Sequence, residues 1–306
     1  MMRRMDSLLW RGQAIAVLNA PFKPIWRAAR GRVQSSNVAA SKDSDDALAN
    51  TFHKRILPTA LISLSSPEGR RLFKEALDLG GMESYFALSE QFVTQSEPSF
   101  CALSSLAMVL NALSFDPKKT WKGSWRWVSE ETLQCDSVQV CGHSLEKVKH
   151  SGMNFAEFES LAKCHGVPMK SYRVEEKRSE GSLELFRKQI IDSSTSDAAN
   201  NFIIVNFSRK RLGQTGDGHF SPIGGYHPSK NLVLIMDVAR FKYPPFWVNV
   251  DDLYLSMTVR DQKSDQARGY FILSSPTAAA VSMAADAADA KCGHDYHHHH
   301  HHHIKD

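Results

Sequence analysis

Chemistry in this chain can start at Cys101. It follows Gln95-Ser-Glu-Pro-Ser-Phe, and Pro98 blocks an earlier helix, so the apolar run CALSSLAMVLNAL over 101–113 predicts a buried helix opening at the cysteine. A thiol there sits at the positive end of the helix dipole, which favours thiolate. The backbone N–H groups of a first turn have no intrahelical partner and can donate to a developing oxyanion. Gln95, six residues upstream, supplies a second donor from its side-chain amide. A free cysteine is more often a small buried hydrophobe than a nucleophile, so its partners decide the matter.

Two residues answer that description. His219 begins HFSPIGGY, and Asp237 lies late in LVLIMDVA, with the turn cluster His227-Pro-Ser-Lys-Asn231 between them. The midpoint of 219 and 237 falls inside that turn. A hairpin centred there puts His219 and Asp237 opposite one another, with Cβ atoms about 4.5–5.5 Å apart. An aspartate inside so apolar a strand is costly unless paired, and a histidine across the ladder is the partner that explains it. The carboxylate would orient the imidazole, and the imidazole would activate the thiol. The plainer alternative is a structural His–Asp pair.

Stepping outward, the elements that must position these groups read as α+β. Helices are predicted after Ser66-Pro67-Glu68-Gly69, with Leu72, Ala76 and Leu77 on one face and Gly80 as the stop, over 154–165 with Asn154 as N-cap, and over 183–192. Strands are predicted over 201–207, 219–226, 232–239 and 269–275. Helices first and strands later imply an antiparallel sheet with a helical part packed on it.

Composition narrows the class. The 306 residues are 42% hydrophobic and 23% charged, as in ordinary globular proteins. No apolar run approaches the roughly 18 residues needed to span a bilayer, so no membrane partner is expected. The net charge of +4 hides an asymmetry: residues 1–36 hold seven basic residues and one acid, a net +6, which leaves −2 for the other 270. A slightly acidic body argues against a nucleic-acid surface. Five cysteines, odd in number and without a CxxC pair, argue against a disulfide framework and for a reducing compartment. Cys135, Cys141, His143, Cys164 and His165 match no standard zinc spacing, and buried packing is the expected role of Cys135 and Cys164. Trp121, Trp125 and Trp127 are expected in the core or a groove wall. Gly213, Gly216 and Gly218 lack the Lys-Ser/Thr of a phosphate loop and read as the turn that leads into His219.

Several blocks carry a resemblance: QSEPSFC, LNALSFDPKKTWKGSWRW, QTGDGHFSPIGGY, DVARFKYPPFW and ARGYF. In this order they resemble the catalytic domain of the phytochelatin synthase (glutathione γ-glutamylcysteinyltransferase) family, a branch of the papain-like cysteine peptidases, over about residues 55–275. The resemblance implies a papain-like fold with the active-site cleft between helices and sheet. It maps the nucleophile to Cys101, the general base and acid to His219, its orienting carboxylate to Asp237 and the oxyanion amide to Gln95. It adds Asp261 and Arg268 to the substrate site, Arg268 as a grip for a glutathione carboxylate. It further implies glutathione and phytochelatin as partners, stimulation by Cd, Zn or Cu as thiolate complexes of the substrate, no organic cofactor, and a possible homodimer. The rivals are a glutathione hydrolase on the same site, an ordinary papain-like peptidase, and a non-catalytic metal binder. One departure stands next to the nucleophile, where Ala102 replaces the usual glycine; DSVQVCGHS over 136–144 reads as an insertion.

The ends differ from the body. Residues 1–50 form an Arg-rich extension, read either as a mitochondrial transit peptide or as dispensable chain, so the compartment is cytoplasmic or mitochondrial. Residues 51–275 form the catalytic domain. Residues 276–306 are an Ala-rich linker and a tail in which His297, His298, His299, His300, His301, His302 and His303 can bind divalent metal, whether as a native tract or a purification tag.

Overall fold

A computed structural model describes residues 54–133, 144–175, 180–195 and 200–275. The expectations for the Arg-rich extension, for Cys135, Cys141 and His143, and for the His tail fall outside the described residues.

The helices begin where local chemistry says they should. In α1 (Pro67–Asp78), the Ser66 hydroxyl accepts from Gly69 N–H at 2.9 Å and Pro67 occupies the first turn. Gly80, at φ 72°, supplies the left-handed turn after it. α2 (Glu83–Glu90) follows at once. In α5 (Phe155–Cys164), Asn154 and Glu157 form a reciprocal capping box. The helix of interest, α3 (Cys101–Ala112), is the exception, because Phe100 at its N-cap offers no side-chain hydrogen bond. Its first-turn N–H groups therefore remain free of a side-chain cap. The remaining helices are α4 (Leu145–Ser151), α6 (Glu180–Ser194) and α7 (Val250–Met257).

Seven strands form one sheet in the order β1 (Ile62–Ser63), β8 (Phe246–Asn249), β7 (Leu232–Ile235), β6 (Gly218–His227), β5 (Asn201–Ser208), β9 (Gly269–Ser274) and β4 (Met169–Arg173). Every neighbouring pair is antiparallel. Alternation along β5 sorts the core onto two faces. Phe202 and Ile204 pack with α3 and α5, whereas Ile203, Val205 and Phe207 pack with α6 and α7. The fold is thus α+β, with helices on both faces of an antiparallel sheet.

Several expectations need correction. Helices and strands interleave instead of following one another, since β1, β4 and the hairpin of β2 (Thr120–Lys122) and β3 (Trp125–Arg126) precede α6. Leu77 is 39% exposed, because the buried face of that helix runs through Gly69, Leu72, Phe73 and Ala76 instead. Trp121, Trp125 and Trp127 are exposed and not in the core, because the β2–β3 hairpin stands apart from the seven-stranded sheet, although Trp125 and Trp127 do line a groove with Asn111 and Phe115. Cys164 is disulfide-bonded and only half-buried, not a packed thiol, whereas Cys101 is free. The predicted strand 232–239 ends at Ile235, one residue after a register shift between Ile223 and Gly225 in the β6–β7 ladder.

Candidate active site

That early stop changes how His219 meets Asp237. His219 pairs across the ladder with Phe207 of β5, not with Asp237. Asp237 lies beyond the end of β7, where the chain is free to turn its carboxylate under the imidazole. The contact forms all the same, with His219 Nε2 2.9 Å from Asp237 Oδ1. The two residues are buried, Asp237 completely. Ser221 Oγ also lies 2.9 Å from Nε2. With Nε2 facing a carboxylate, that nitrogen carries the proton and Nδ1 is left as the acceptor.

A buried carboxylate needs more than a neutral imidazole, and Arg209 provides it. Its Nη2 donates to Asp237 Oδ1 at 2.9 Å, and Nη1 sits 2.8 Å from Oδ2. Nη1 also donates to Gln214 Oε1 at 2.7 Å, and the guanidinium lies 5.2 Å from the ring centre of Tyr243. The Ala239 N–H donates to Asp237 Oδ1 at 2.9 Å. Burial alone would raise the Asp237 carboxyl, but His219 and Arg209 outweigh it and hold it well below the usual carboxylate range.

The same charges set the resting state of the other two groups. Burial, seconded by Arg209, pushes the His219 imidazole down to about 4. Burial pushes the Cys101 thiol up, against backbone hydrogen bonds from Phe220 and Ala102 and the charge of Arg209. Burial thus works against the thiolate that the helix start was expected to favour. The resting pair is a neutral thiol and a neutral imidazole.

Cys101 and His219 open together onto a cavity of about 410 Å³. Its walls come from the segment before α3, the turn after α4, the Gly216–Gly218 turn, the chain after β7 and the Asp261–Lys263 loop. Both signs of charge line it, Asp217 and Asp261 together with Arg209, Lys242 and Lys263. Gly216, at φ 95°, leads the chain into His219, and a Cβ there would stand 3.0 Å from Lys242 Nζ. Lys263 Nζ donates across the rim to Ser151 O.

The remaining sequence candidates lie around this centre. Gln95 is buried, its N–H donating to Val238 O at 3.0 Å and its Nε2 to Glu97 O at 2.8 Å. It is therefore tied to the residue next to Asp237. Asp261 lines the cavity, while Arg268 is fully buried and does not. The Arg268 guanidinium donates to Val259 O at 2.7 Å and Arg260 O at 3.0 Å, and lies 3.2 Å from Asp217 Oδ2 and 3.4 Å from Asp261 Oδ2. It holds two acidic wall residues in place from behind.

Sequence reasoning passed over Arg209, Ser221, Asp217 and Lys242. Arg209 had a signal, because a fully buried aspartate beside a neutral histidine calls for a cation, and Arg209-Lys210-Arg211 precede the glycine turn. Among the described residues, no group of three or more His, Cys, Asp or Glu is placed to hold a metal ion. None of the described helices is long and apolar enough to cross a membrane.

A family model described as phytochelatin synthase matches residues 52–270. A glutathione gamma-glutamylcysteinyltransferase of Schizosaccharomyces pombe is 44% identical over 237 residues, 78% of this chain and 54% of the relative. Glutathione gamma-glutamylcysteinyltransferase 1 of Lotus japonicus is 43% identical over 226 residues, 74% of this chain and 43% of the relative. Number 2 of Arabidopsis thaliana is 43% identical over 229 residues, 75% of this chain and 48% of the relative. The chain spans about half the length of these curated relatives. With Cys101 and His219 on one cavity, Asp237 buried against His219 and the family model covering most of the sequence, the chain belongs to the phytochelatin synthase family.

Proposed function

We propose that this chain is a papain-like transpeptidase that takes glutathione as acyl donor and builds (γ-Glu-Cys)n-Gly. One observation carries the reading: Cys101 and His219 share a charged cavity, and His219 is held by a buried Asp237. The relatives' printed name, glutathione gamma-glutamylcysteinyltransferase, supports the donor and the group transferred.

The steps follow from the resting state. His219 is neutral at physiological pH, so its Nδ1 can accept the Cys101 proton as the sulfur attacks the Cys–Gly carbonyl of glutathione. The Cys101 N–H and the Gln95 amide stabilise the tetrahedral oxyanion. Asp237, itself held by Arg209, keeps the imidazolium that forms in place. The imidazolium then protonates the departing glycine amine, and γ-Glu-Cys remains on Cys101 as a thioester. The amine of a second glutathione, or of a growing chain, attacks that thioester. Its proton passes to His219, and the free thiol is restored as the new peptide bond forms.

The cavity's mixed charge suits a substrate bearing two carboxylates and an ammonium, with Lys242 facing carboxylate and Asp217 and Asp261 facing ammonium. Cd, Zn or Cu enters as a thiolate complex of glutathione, which blocks the substrate thiol and leaves its amide open to attack.

Mass spectrometry of glutathione incubated with the protein, with and without Cd²⁺, tests the reading. The expected products are oligomers spaced by γ-Glu-Cys, with free glycine. Glycine and γ-Glu-Cys without oligomers would replace the transferase by a hydrolase. No change from folded protein with a free Cys101 thiol would overturn both.

A further inference from the structure

Glu130 belongs to no helix or strand, and nothing in its sequence surroundings marks it. Its carboxylate nevertheless reaches both sides of the nucleophile. It accepts from the Ser96 N–H, 3.1 Å to Oε1 and 3.3 Å to Oε2, and from the hydroxyls of Ser96 and Ser104. Ser96 directly follows Gln95, and Ser104 stands one turn into α3, three residues after Cys101. One carboxylate thus bridges the segment that carries the oxyanion amide and the helix that carries the sulfur.

The Glu130 segment is itself anchored along α3. Asn111 Nδ2 donates to Val128 O at 2.8 Å, and Val128 N–H returns to Asn111 Oδ1 at 3.1 Å. The Ser129 N–H donates to Thr132 Oγ1 at 2.7 Å. Ser104 is fully buried and its hydroxyl also reaches Phe100 O at 2.9 Å, so an apolar side chain at position 130 would cut the tie to α3 and leave the Ser96 N–H short of an acceptor. Glu130 does not line the cavity, and its charge is not among those that shift the Cys101 thiol. What it supplies is geometry.

We infer that Glu130 is a positioning residue for the oxyanion site: it locks the Gln95–Ser96 backbone to the first turn of α3 and fixes the Gln95 amide relative to the Cys101 N–H. The inference rests on the reading of Cys101 as an acylated nucleophile and Gln95 as an oxyanion donor. Charge-assisted hydrogen bonds suit this task, being short and directional. A displacement of about 1 Å in such a site costs on the order of a hundredfold in rate.

Two reactions of Cys101 in the full chain separate this role from general support of the fold. Acylation by p-nitrophenyl acetate passes through a tetrahedral oxyanion, releases nitrophenolate and leaves an acetyl thioester. Alkylation by iodoacetamide displaces iodide and forms no oxyanion. Glu130→Ala is expected to slow acylation at least about tenfold while alkylation stays within about threefold. Glu130→Gln keeps a carbonyl acceptor for the Ser96 N–H and recovers most of the loss. In the double variant with Gln95→Ala the two losses do not multiply, because both act through one amide. Equal falls in both reactions, unchanged acylation, or multiplying losses would each overturn the inference. Where Glu130→Ala does not fold by circular dichroism, Glu130→Asp, whose carboxylate is one methylene too short to reach both Ser96 and Ser104, decides: acylation lowered about threefold or more with alkylation unchanged supports the clamp, and anything less rejects it. Neither reaction needs glutathione, so a failed transferase reading shows separately, as wild-type protein that acylates normally but releases no glycine.

Discussion

At the scale of single residues, the site is a balance of burial against a few well-placed charges. Asp237 stays ionised only because Arg209 and His219 meet it, and His219 stays neutral because burial and Arg209 outweigh the pull of Asp237. Arg209→Met should break this balance. Removing one member of a buried ion pair costs about 3–5 kcal/mol. The charge that depresses the imidazole also disappears, so the His219 midpoint, followed by NMR titration, should rise from about 4. A midpoint that stays put would separate Arg209 from the electrostatics of the site. These residues were unequally legible in the sequence. Cys101 announced itself through Pro98 and the apolar run after it. The partnership of His219 and Asp237 was legible for an incomplete reason, because the spacing placed them together but the hairpin argument did not describe how. Arg209, Asp217 and Lys242 escaped notice because the fold, not local spacing, brings them to the cavity.

At the scale of elements, the sheet is where backbones approach too closely for side chains. Gly269 of β9 stands against Tyr172 of β4, where a Cβ would meet Tyr172 O at 2.0 Å. Gly269→Ala should destabilise the domain by at least about 2 kcal/mol, since the obstacle is backbone and cannot rotate away. In a domain of this size that lowers the melting temperature by roughly 4–8 °C, measured by circular dichroism. An unchanged melting temperature would mean that the β4–β9 edge yields freely. Elements with strong local signals were readable from the sequence, among them α1 with its Ser66 cap, α5 with Asn154 and the long apolar β5. β4 and β8 were not, because MKSYR and FWVN are short and lack clean alternation, and only pairing with neighbours makes them strands. The Trp-bearing hairpin was read only in part: Trp125 and Trp127 line a groove, but none of the three tryptophans reaches the core. Aromatic residues predict burial on average, but β2 and β3 pair only with each other.

At the scale of the whole molecule, burying a neutral histidine links stability to pH. His219 binds its proton near 4 when folded, against an ordinary value of 6.5. Between those limits the unfolded chain holds more protons, so stability is complete above 6.5 and falls as the pH drops towards 4. The full window is worth about 3 kcal/mol. Asp237 continues the loss below it, its folded carboxyl lying under the ordinary 3.8. Chemical denaturation at a series of pH values should therefore show a slope between 6.5 and 4 that His219→Gln flattens; parallel profiles would contradict the buried, neutral imidazole. The central claim, however, is covalent. Intact-protein mass spectrometry of wild-type chain mixed with glutathione and Cd²⁺, quenched in acid and mapped by proteolysis, asks directly whether a γ-Glu-Cys acyl group resides on Cys101. The expected result is that adduct on Cys101 with free glycine released, and neither from Cys101→Ala. Glycine release that persists in Cys101→Ala, or an acyl group found on another residue, would contradict it.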